Sequence, residues 1–318
     1  MGKGLEFMRM KFFLFIIALI ALLMNGCVQN EELPEKSVDD PISSVTSENI
    51  SESISENISE PNKSANSAVP VNDSDIADLT AGTDEYRGFT VDNVYQSETN
   101  GDIHYNVYIP ESYDGNRPFA LFFTLPGYEG LYFQGVAANI KAEEFGFEAQ
   151  KYNSEIIVVA PQLSDWRETS ANQTIALLEF FLKNYNIDRK RVYANGFSGG
   201  GETMSIVMGK RPELFSAYLH CSSQWDGDLE VLAESRTPVY LAVGENDEYY
   251  GSEPTKRAYD TLYGLYKNQG LSESEINKLL VLDIKKHEYF TEKGVNNEHG
   301  GGGLFAFDPE IMGWLFGS

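Results

Sequence analysis

Short, nearly continuous apolar runs, separated by helical periodicities, dominate the chain after Pro110. Runs of this kind are typical of strands that are buried on both faces, and they lie at residues 119–125, 156–160, 192–194, 217–219 and 239–243. Between them, apolar residues recur every three or four positions, which predicts helices such as one from Ala171 to Tyr185. This alternation predicts a mostly parallel sheet with helices on both faces, with ligands bound at the carboxyl ends of its strands.

An antiparallel pair is predicted to precede the parallel sheet. Residues 86–97 and 102–109 read as strands, and the Thr-Asn-Gly sequence at residues 99–101 favours a tight hairpin turn between them. The predicted fold class is therefore α/β, a mostly parallel doubly wound sheet with an antiparallel N-terminal hairpin. Residues 86–318 are long enough to form it as one well-buried domain.

The chain before this domain has a different character. Basic residues precede an apolar run at residues 12–24, which is shorter than the about 20 residues that a membrane-spanning helix needs. Such a run is typical of an export signal, so residues 1–27 are predicted to be a signal peptide. Residues 28–85 are rich in Ser, Asn and Glu and nearly lack aromatic residues, which predicts a disordered acidic stalk.

The apolar run closes at Cys27, and the residues before it resemble a bacterial lipobox, in which the cysteine becomes the lipidated N-terminus. The resemblance implies a lipoprotein anchored in the cell envelope, on the outer side of the cytoplasmic membrane. The open alternative is a plain secretory signal and a secreted product. Lipidation would leave Cys221 as the remaining cysteine, so no intramolecular disulfide is expected.

The net charge of −24 is shared about equally between the stalk and the domain. Such acidity argues against nucleic acid or an anionic membrane surface as a partner, and it favours neutral or cationic substrates. No His or Cys cluster has metal-ligand spacing, and no phosphate-binding loop is visible. We therefore expect no metal and no cofactor.

The most informative motif is GFSGG at residues 196–200, between a predicted strand and a helical pattern. Gly-x-Ser-x-Gly in this position is typical of a nucleophile elbow, a strained turn that exposes the serine hydroxyl at a helix N-terminus. Side chains larger than hydrogen would clash at the flanking positions. Ser198 is therefore the candidate nucleophile, and the alternative is a serine that only caps the helix.

These residues give the chain a resemblance to the α/β-hydrolase superfamily, and within it to secreted esterases, polyhydroxyalkanoate depolymerases and feruloyl esterases. The resemblance covers residues 86–318 and rests on NVYIP at 106–110, LPG at 125–127, the elbow, VGEND at 243–247 and a late histidine. It implies hydrolysis of a small-molecule or polymer-borne ester through an acyl-enzyme, with a triad in the order Ser198, Asp247, His299.

The base and the acid have alternatives. The chain has four histidines, and the topology of the superfamily places the base in the last loop, which favours His299. His287, predicted to lie on the last strand, is held in reserve. Asp247 follows the strand after which the superfamily carries its acid, and Glu245 and Asp226 are weaker candidates.

The resemblance also implies two backbone donors for the oxyanion. One is the N–H of Gly199, next to the nucleophile, and the other comes from the turn after the first core strand, at Gly127 or Tyr128. Many relatives have a histidine before that glycine, where this chain has Pro126.

Several aromatic residues follow predicted strands on the substrate side. Trp166, Trp225 and Tyr249, with Tyr250 beside it, are tentative walls of a substrate pocket, and packing for stability is the alternative.

Two other functions stay open. A serine peptidase of prolyl-oligopeptidase type shares the core and the triad order, but such relatives usually carry a large gating domain, for which residues 134–156 leave no room. A catalytically silent binding protein is disfavoured because all three residue types of the triad are present.

Overall fold

The predicted hairpin and the predicted parallel strands belong to the same sheet. The computed structural model describes residues 78–135 and 137–317, and within these ranges one sheet has ten strands. They are β1 (Leu79–Thr80), β2 (Asp84–Tyr86), β3 (Phe89–Ser97), β4 (Gly101–Tyr108), β5 (Phe119–Leu125), β6 (Ile156–Pro161), β7 (Ile187–Phe197), β8 (Ala217–Cys221), β9 (Val239–Gly244) and β10 (Leu280–Lys285).

The strand order is β1-β3-β4-β6-β5-β7-β8-β9-β10, with β2 paired to β3. The pairs β3–β4 and β4–β6 are antiparallel, and every pair from β6 to β10 is parallel. This order confirms the predicted fold class. Strand β7 begins at Ile187, before its predicted start at residue 192. The first residues of the strand were not predicted, because residues 188–191 are charged and show no apolar pattern.

Helices cover both faces of the sheet. They are α1 (Ala138–Ala142), α2 (Phe145–Tyr152), α3 (Glu168–Asn184), α4 (Gly199–Met208), α5 (Leu229–Ser235), α6 (Glu253–Asn268), α7 (Glu273–Leu279), α8 (His287–Thr291) and α9 (Pro309–Gly317). Alternate residues of β5 serve the two faces: Leu121 and Phe123 pack with residues of α3 and α4, whereas Ala120 and Phe122 pack with residues of α2 and α9. The strands are thus buried on both sides, as their sequences predict.

Of the segments predicted before the catalytic domain, the structure describes the last residues of the stalk, from residue 78 onward. The predicted signal peptide, Cys27 and residues 28–77 of the predicted stalk lie outside the described residues. Residues 79–85, which the sequence assigns to the stalk, contain β1 and the first two residues of β2, and both strands pair with β3. Their side chains are largely exposed. Backbone pairing holds both strands, and one residue of each, Leu79 and Tyr86, packs against the core. In the part of the chain that the structure describes, no helix is both long and apolar enough to cross a membrane.

Candidate active site

Ser198 lies on a strained turn between β7 and α4. Its φ of 53° and ψ of −122° fall in a region that residues other than glycine rarely occupy. A Cβ atom on Gly196 would lie 2.6 Å from the carbonyl oxygen of Gly200, and one on Gly200 would lie 2.4 Å from that of Pro126. Only glycine fits at both positions, so the turn has the geometry that the elbow motif predicts.

The serine hydroxyl begins a chain of hydrogen bonds. Ser198 Oγ lies 3.0 Å from Nε2 of His299, and Nδ1 of His299 lies 2.9 Å from Oδ2 of Asp247. The side chain of Asp247 is 0% exposed, and a buried carboxylate beside Nδ1 favours the tautomer that carries its proton there. Nε2 is then placed to accept the proton of Ser198. The structure therefore brings together the three residues that the sequence nominates.

The acid is held by its own loop. Oδ1 of Asp247 accepts hydrogen bonds from the backbone N–H groups of Tyr249, at 3.0 Å, and Tyr250, at 2.8 Å. These bonds occupy one carboxylate oxygen and leave the other for the histidine. The rings of Tyr249 and Phe197 lie 5.1 Å and 5.8 Å from the imidazole of His299, so the base is flanked by aromatic rings.

Two more carboxylates join the acid loop to the base loop. Glu248 accepts hydrogen bonds from the backbone N–H groups of Glu298, at 3.1 Å, and His299, at 2.9 Å. In the other direction, the buried carboxylate of Glu298 accepts from the backbone of Asn246, at 2.7 Å, and from its side chain, at 3.1 Å. Three consecutive residues, 246–248, thus bind residues 298–299, and the place of the base is fixed by backbone bonds as well as by its side chain.

The reserve base occupies a different position from the predicted one. Strand β10 ends at Lys285, and His287 begins α8, so its predicted place on the last strand is wrong. The chain turns into a helix there because Phe290, 0% exposed, packs into the core from α8. Nδ1 of His287 lies 2.9 Å from Oε1 of Glu298, so His287 supports the base loop from outside.

The other two histidines have partners away from the triad. His104, on β4, binds Asp92 at 2.7 Å. His220 is buried in β8, where the hydroxyl of Tyr218 lies 2.8 Å from its Nδ1, and burial lowers its pKa to about 4. His220 is therefore neutral near pH 7.

The weaker acid candidates also have other partners. Asp226 accepts a hydrogen bond from Gln224 at 3.1 Å, and Glu245 pairs with Lys286 at 2.7 Å. Asp247 is thus the carboxylate, of the three proposed, that meets His299.

The oxyanion candidates lie on two elements. Gly199 is the first residue of α4, where backbone N–H groups lack a partner within the helix. The N–H of Gly127, by contrast, donates to the carboxylate of Glu143 at 2.5 Å. This bond removes Gly127 from the predicted donors, and Tyr128 is the candidate that remains. Sequence reasoning could not find this bond, because Glu143 lies 16 residues further along the chain.

The tentative wall residues differ in their surroundings. Trp166 lies over the nucleophile turn, since a Cβ on Gly199 would be 2.4 Å from its ring. Tyr249 lies beside His299 and is 57% exposed. The ring of Trp225 instead packs at 5.2 Å from that of His220 and 5.9 Å from that of Tyr218, which favours the packing alternative for this residue.

Sequence reasoning missed four carboxylates of the site: Glu143, Glu248 and Glu298, and also Glu202, which accepts a hydrogen bond from the hydroxyl of Tyr250 at 3.0 Å. The one available signal is position: Glu248 and Glu298 each neighbour a triad candidate, and Glu202 follows Ser198 by one helical turn.

As for metals, no group of three or more His, Cys, Asp or Glu side chains within the described ranges is arranged to hold an ion.

The chain has the α/β-hydrolase fold, and comparisons with known proteins agree with this. The model of the prolyl oligopeptidase family matches residues 163–268, which include Ser198 and Asp247. A thermostable esterase superposes with a TM-score of 0.56 and 20% sequence identity, over 76% of this chain and 63% of that one. The chain thus spans less than two thirds of the length of that esterase.

A second solved structure covers more of its own length. The poly(3-hydroxybutyrate) depolymerase LpqC from Bordetella parapertussis superposes with a TM-score of 0.51 and 15% identity, over 72% of this chain and 90% of that one. No curated protein sequence matches the chain. The predicted resemblance to the α/β-hydrolase superfamily is confirmed, and the comparisons support a serine hydrolase of this fold.

Proposed function

We propose that the chain is a serine hydrolase that cleaves carboxylic esters with Ser198 as nucleophile, His299 as base and Asp247 as the residue that orients the base. The observation that carries this proposal is the hydrogen-bonded chain from Ser198 Oγ through both nitrogens of His299 to Asp247, at 3.0 Å and 2.9 Å. An N-cap serine would not require a histidine and a buried carboxylate in series.

The geometry supports the following reaction. Nε2 of His299 takes the proton of Ser198 while Oγ attacks the ester carbonyl carbon, and the negative charge moves to the carbonyl oxygen. The N–H of Gly199 and that of Tyr128 are the proposed donors to this oxyanion. The tetrahedral intermediate then expels the alcohol, which takes the proton from His299. Water repeats the cycle on the acyl-enzyme and releases the acid.

A serine peptidase is the second candidate, and the match of residues 163–268 to the prolyl oligopeptidase family favours it. The exposed ring of Tyr249 beside His299 supports a site open to solvent. An open site suits esters on small molecules or polymers without selecting against short peptides, so the two candidates must be separated by assay.

The proposed location is the outer side of the cytoplasmic membrane, with the chain held by lipid on Cys27. This proposal comes from the lipobox-like sequence that ends at Cys27. The full chain is expected to fractionate with membranes and to begin at a lipid-modified Cys27 by mass spectrometry, whereas Cys27→Ser should release it or block processing. An unmodified N-terminus downstream of Cys27 would contradict the anchor.

Labelling with a fluorophosphonate probe tests the hydrolase. The full chain should be labelled at Ser198, Ser198→Ala should lose both labelling and turnover, and Ser164→Ala, which changes an exposed serine in the loop after β6, should retain both. Panels of acyl esters, aryl esters and peptide amides then decide the class. Turnover of amides at rates equal to those of esters would favour the peptidase, and labelling of Ser198→Ala would remove Ser198 from its role.

A further inference from the structure

Ser223 lies directly behind the nucleophile turn. Its side chain is fully buried, and its hydroxyl donates a hydrogen bond to the backbone carbonyl oxygen of Ser198 at 2.6 Å. The same hydroxyl lies 3.3 Å from the carbonyl oxygen of Gln224. A serine has one proton to donate, and the shorter of these two contacts has the length of a good O–H···O bond, so the proton goes to Ser198.

The end of β8 brings Ser223 to this place. Cys221, the last residue of β8, accepts a hydrogen bond from the N–H of Ser198 at 3.0 Å. Ser222 then turns the chain with a φ of 43°, a conformation that costs free energy for a residue other than glycine. Gly201 leaves room for the hydroxyl, because a Cβ there would lie 2.7 Å from Oγ of Ser223. The hydroxyl therefore reaches the first turn of α4.

The main chain of Ser223 is held in place as well. Its carbonyl oxygen accepts a hydrogen bond from Oγ1 of Thr255, on α6, at 3.1 Å, and lies 3.2 Å from Nε2 of His220. The hydroxyl of Tyr218 lies 2.8 Å from Nδ1 of that histidine. A neutral imidazole donates through one nitrogen and accepts through the other, so Nε2 donates to Ser223 and Nδ1 accepts from Tyr218. These three side chains are fully buried, and together they fix Ser223.

The carbonyl that Ser223 binds belongs to the same peptide group as the proposed oxyanion donor. The carbonyl of Ser198 and the N–H of Gly199 share one planar peptide bond, and in the trans form they point in opposite directions. A carbonyl held by Ser223 therefore points the N–H of Gly199 away from Ser223. Hydrogen bonds in series also polarise one another, so a bond to this carbonyl makes the N–H a stronger donor.

We propose that Ser223 is a positioning residue that orients and polarises the peptide group between Ser198 and Gly199, and so strengthens the N–H of Gly199 as an oxyanion donor. The inference rests on the proposed function, because it concerns the same nucleophile and the same tetrahedral intermediate. Ser223 acts through the backbone and does not touch the substrate. No covalent bond forms or breaks in this step.

The carbonyl of Ser198 has other donors, which sets the size of the effect. The backbone N–H groups of Gly201, at 2.8 Å, and Glu202, at 3.2 Å, also donate to it, so loss of the Ser223 hydroxyl leaves no unsatisfied oxygen. Removal of an oxyanion donor costs about 10²- to 10³-fold in kcat, and one hydrogen bond strengthens the next in series by about 10–30%. Loss of that share of the stabilisation corresponds to about 2- to 8-fold in kcat.

Ser223→Ala in the full chain tests the inference on two substrates, an aryl ester and the thionoester in which sulfur replaces its carbonyl oxygen. Sulfur accepts hydrogen bonds weakly, so a stronger oxyanion donor helps the ester more. We expect kcat on the ester to fall about 2- to 8-fold with little change in KM, and kcat on the thionoester to fall less. Thr174→Val removes a buried hydroxyl that donates to the carbonyl of Ser170 at 2.8 Å within α3, and this matched control should leave both rates unchanged.

The ratio of the two losses distinguishes this role from a structural one. If Ser223 only supported the shape of the turn, Ser223→Ala would slow the ester and the thionoester by the same factor, and the inference would be overturned. An unchanged rate on the ester would overturn it as well. Should Ser223→Ala fail to fold, Ser223→Cys, whose thiol is a weak donor, should again lose more on the ester than on the thionoester, and equal losses would overturn the inference.

Fluorophosphonate labelling separates this inference from the proposed function. An unmodified chain that is not labelled at Ser198 would overturn the proposed function and this inference with it. A chain that is labelled and active, but that loses the same factor on both substrates in Ser223→Ala, would overturn the inference alone.

Discussion

The two sides of Ser198 are built differently. On the base side, residues 246–248 and 298–299 are joined by backbone and side-chain hydrogen bonds to the buried carboxylates of Asp247 and Glu298 and to the exposed carboxylate of Glu248. On the proposed oxyanion side, the turn after β5 forms two short 3₁₀ helices, Tyr128–Gly130 and Tyr132–Gln134, in which Tyr128 is 50% exposed and Tyr132 is 45% exposed. Proton transfer needs its groups in place before substrate arrives, whereas the other side has to admit the substrate.

The turn that carries the proposed oxyanion donor is nevertheless held tightly where it leaves β5. The N–H of Gly127 is bound by Glu143, and a Cβ on Gly130 would lie 2.0 Å from Cβ of Pro126. The turn is therefore tight where it leaves β5 and exposed at its tip. The two sides therefore differ at their tips: the residues proposed to transfer the proton are enclosed by hydrogen bonds, whereas the oxyanion turn is held where it leaves β5 and is exposed at its end.

The largest expected effect comes from the base itself. His299→Ala should lower kcat on the order of 10³-fold or more, because triad members act as one unit, while His287→Ala, whose side chain is 52% exposed, should cost less than about 5-fold. Steady-state kinetics on one ester measures both. The reverse order of losses would mean that the base side is misassigned and would reopen the role of Asp247.

The second test addresses the oxyanion side. Tyr128→Pro removes the backbone N–H, and the extended conformation of Gly127 before it, with φ of −73° and ψ of −162°, suits a residue that precedes proline. We expect kcat to fall about 10²-fold or more relative to Tyr128→Ala, the matched control that keeps the amide. Equal rates in the two variants would exclude Tyr128 as the second donor and would direct attention to another amide of the turn.

The third test loosens the base side without touching the triad. Glu298→Gln places an amide NH₂ among donors from Asn246 and His287, so we expect a loss of about 1–3 kcal/mol in the free energy of unfolding and a fall in kcat of about 10-fold or less. Thermal unfolding and kinetics measure the two effects. Glu292→Gln, at an exposed position after α8, is the control, and an unchanged Glu298→Gln would show that the base loop does not depend on this carboxylate.

The same variant should change the acid sensitivity of the protein. Burial raises the pKa of Glu298. The hydrogen bonds from Asn246 and His287 and the charge of His287 together lower that pKa by more, so it lies below its usual value. A carboxylate with a lowered folded-state pKa stabilises the fold above its unfolded pKa, and that stability is lost as pH falls through the folded pKa. Between about pH 6 and about pH 3, Glu298→Gln should therefore lose less stability than the unmodified chain.

The features that could be predicted from the sequence are those that depend on residues close together in the chain. Apolar runs predict the parallel strands, and glycine spacing predicts the elbow, because burial on two faces and close backbone approach each restrict the residues that fit. Asp247 and His299 were expected from the resemblance to the α/β-hydrolase superfamily, which carries its acid and its base in this order after the serine. The carboxylates that hold backbone N–H groups escaped prediction, since a distant amide leaves no mark on the sequence of Glu143, Glu248 or Glu298. Strands β1 and β2 escaped for a related reason, because they are held mainly by backbone pairing and each supplies a single side chain, Leu79 or Tyr86, to the core.

The smallest expected effect is at Tyr249, which lies beside His299 at the exposed edge of the proposed site. The ring of Tyr249 lies 5.1 Å from that of His299 and is 57% exposed, while its contribution to Asp247 is a backbone N–H that any residue other than proline supplies. Tyr249→Ala should therefore leave kcat nearly intact and raise KM for an aryl ester about 3-fold, the contribution of one aromatic contact. Tyr249→Phe keeps the ring and should stay closer to the unmodified chain. A fall in kcat in Tyr249→Ala would instead mean that the ring helps to hold His299 in place. Tyr249 would then belong with the hydrogen-bonded residues of the base side.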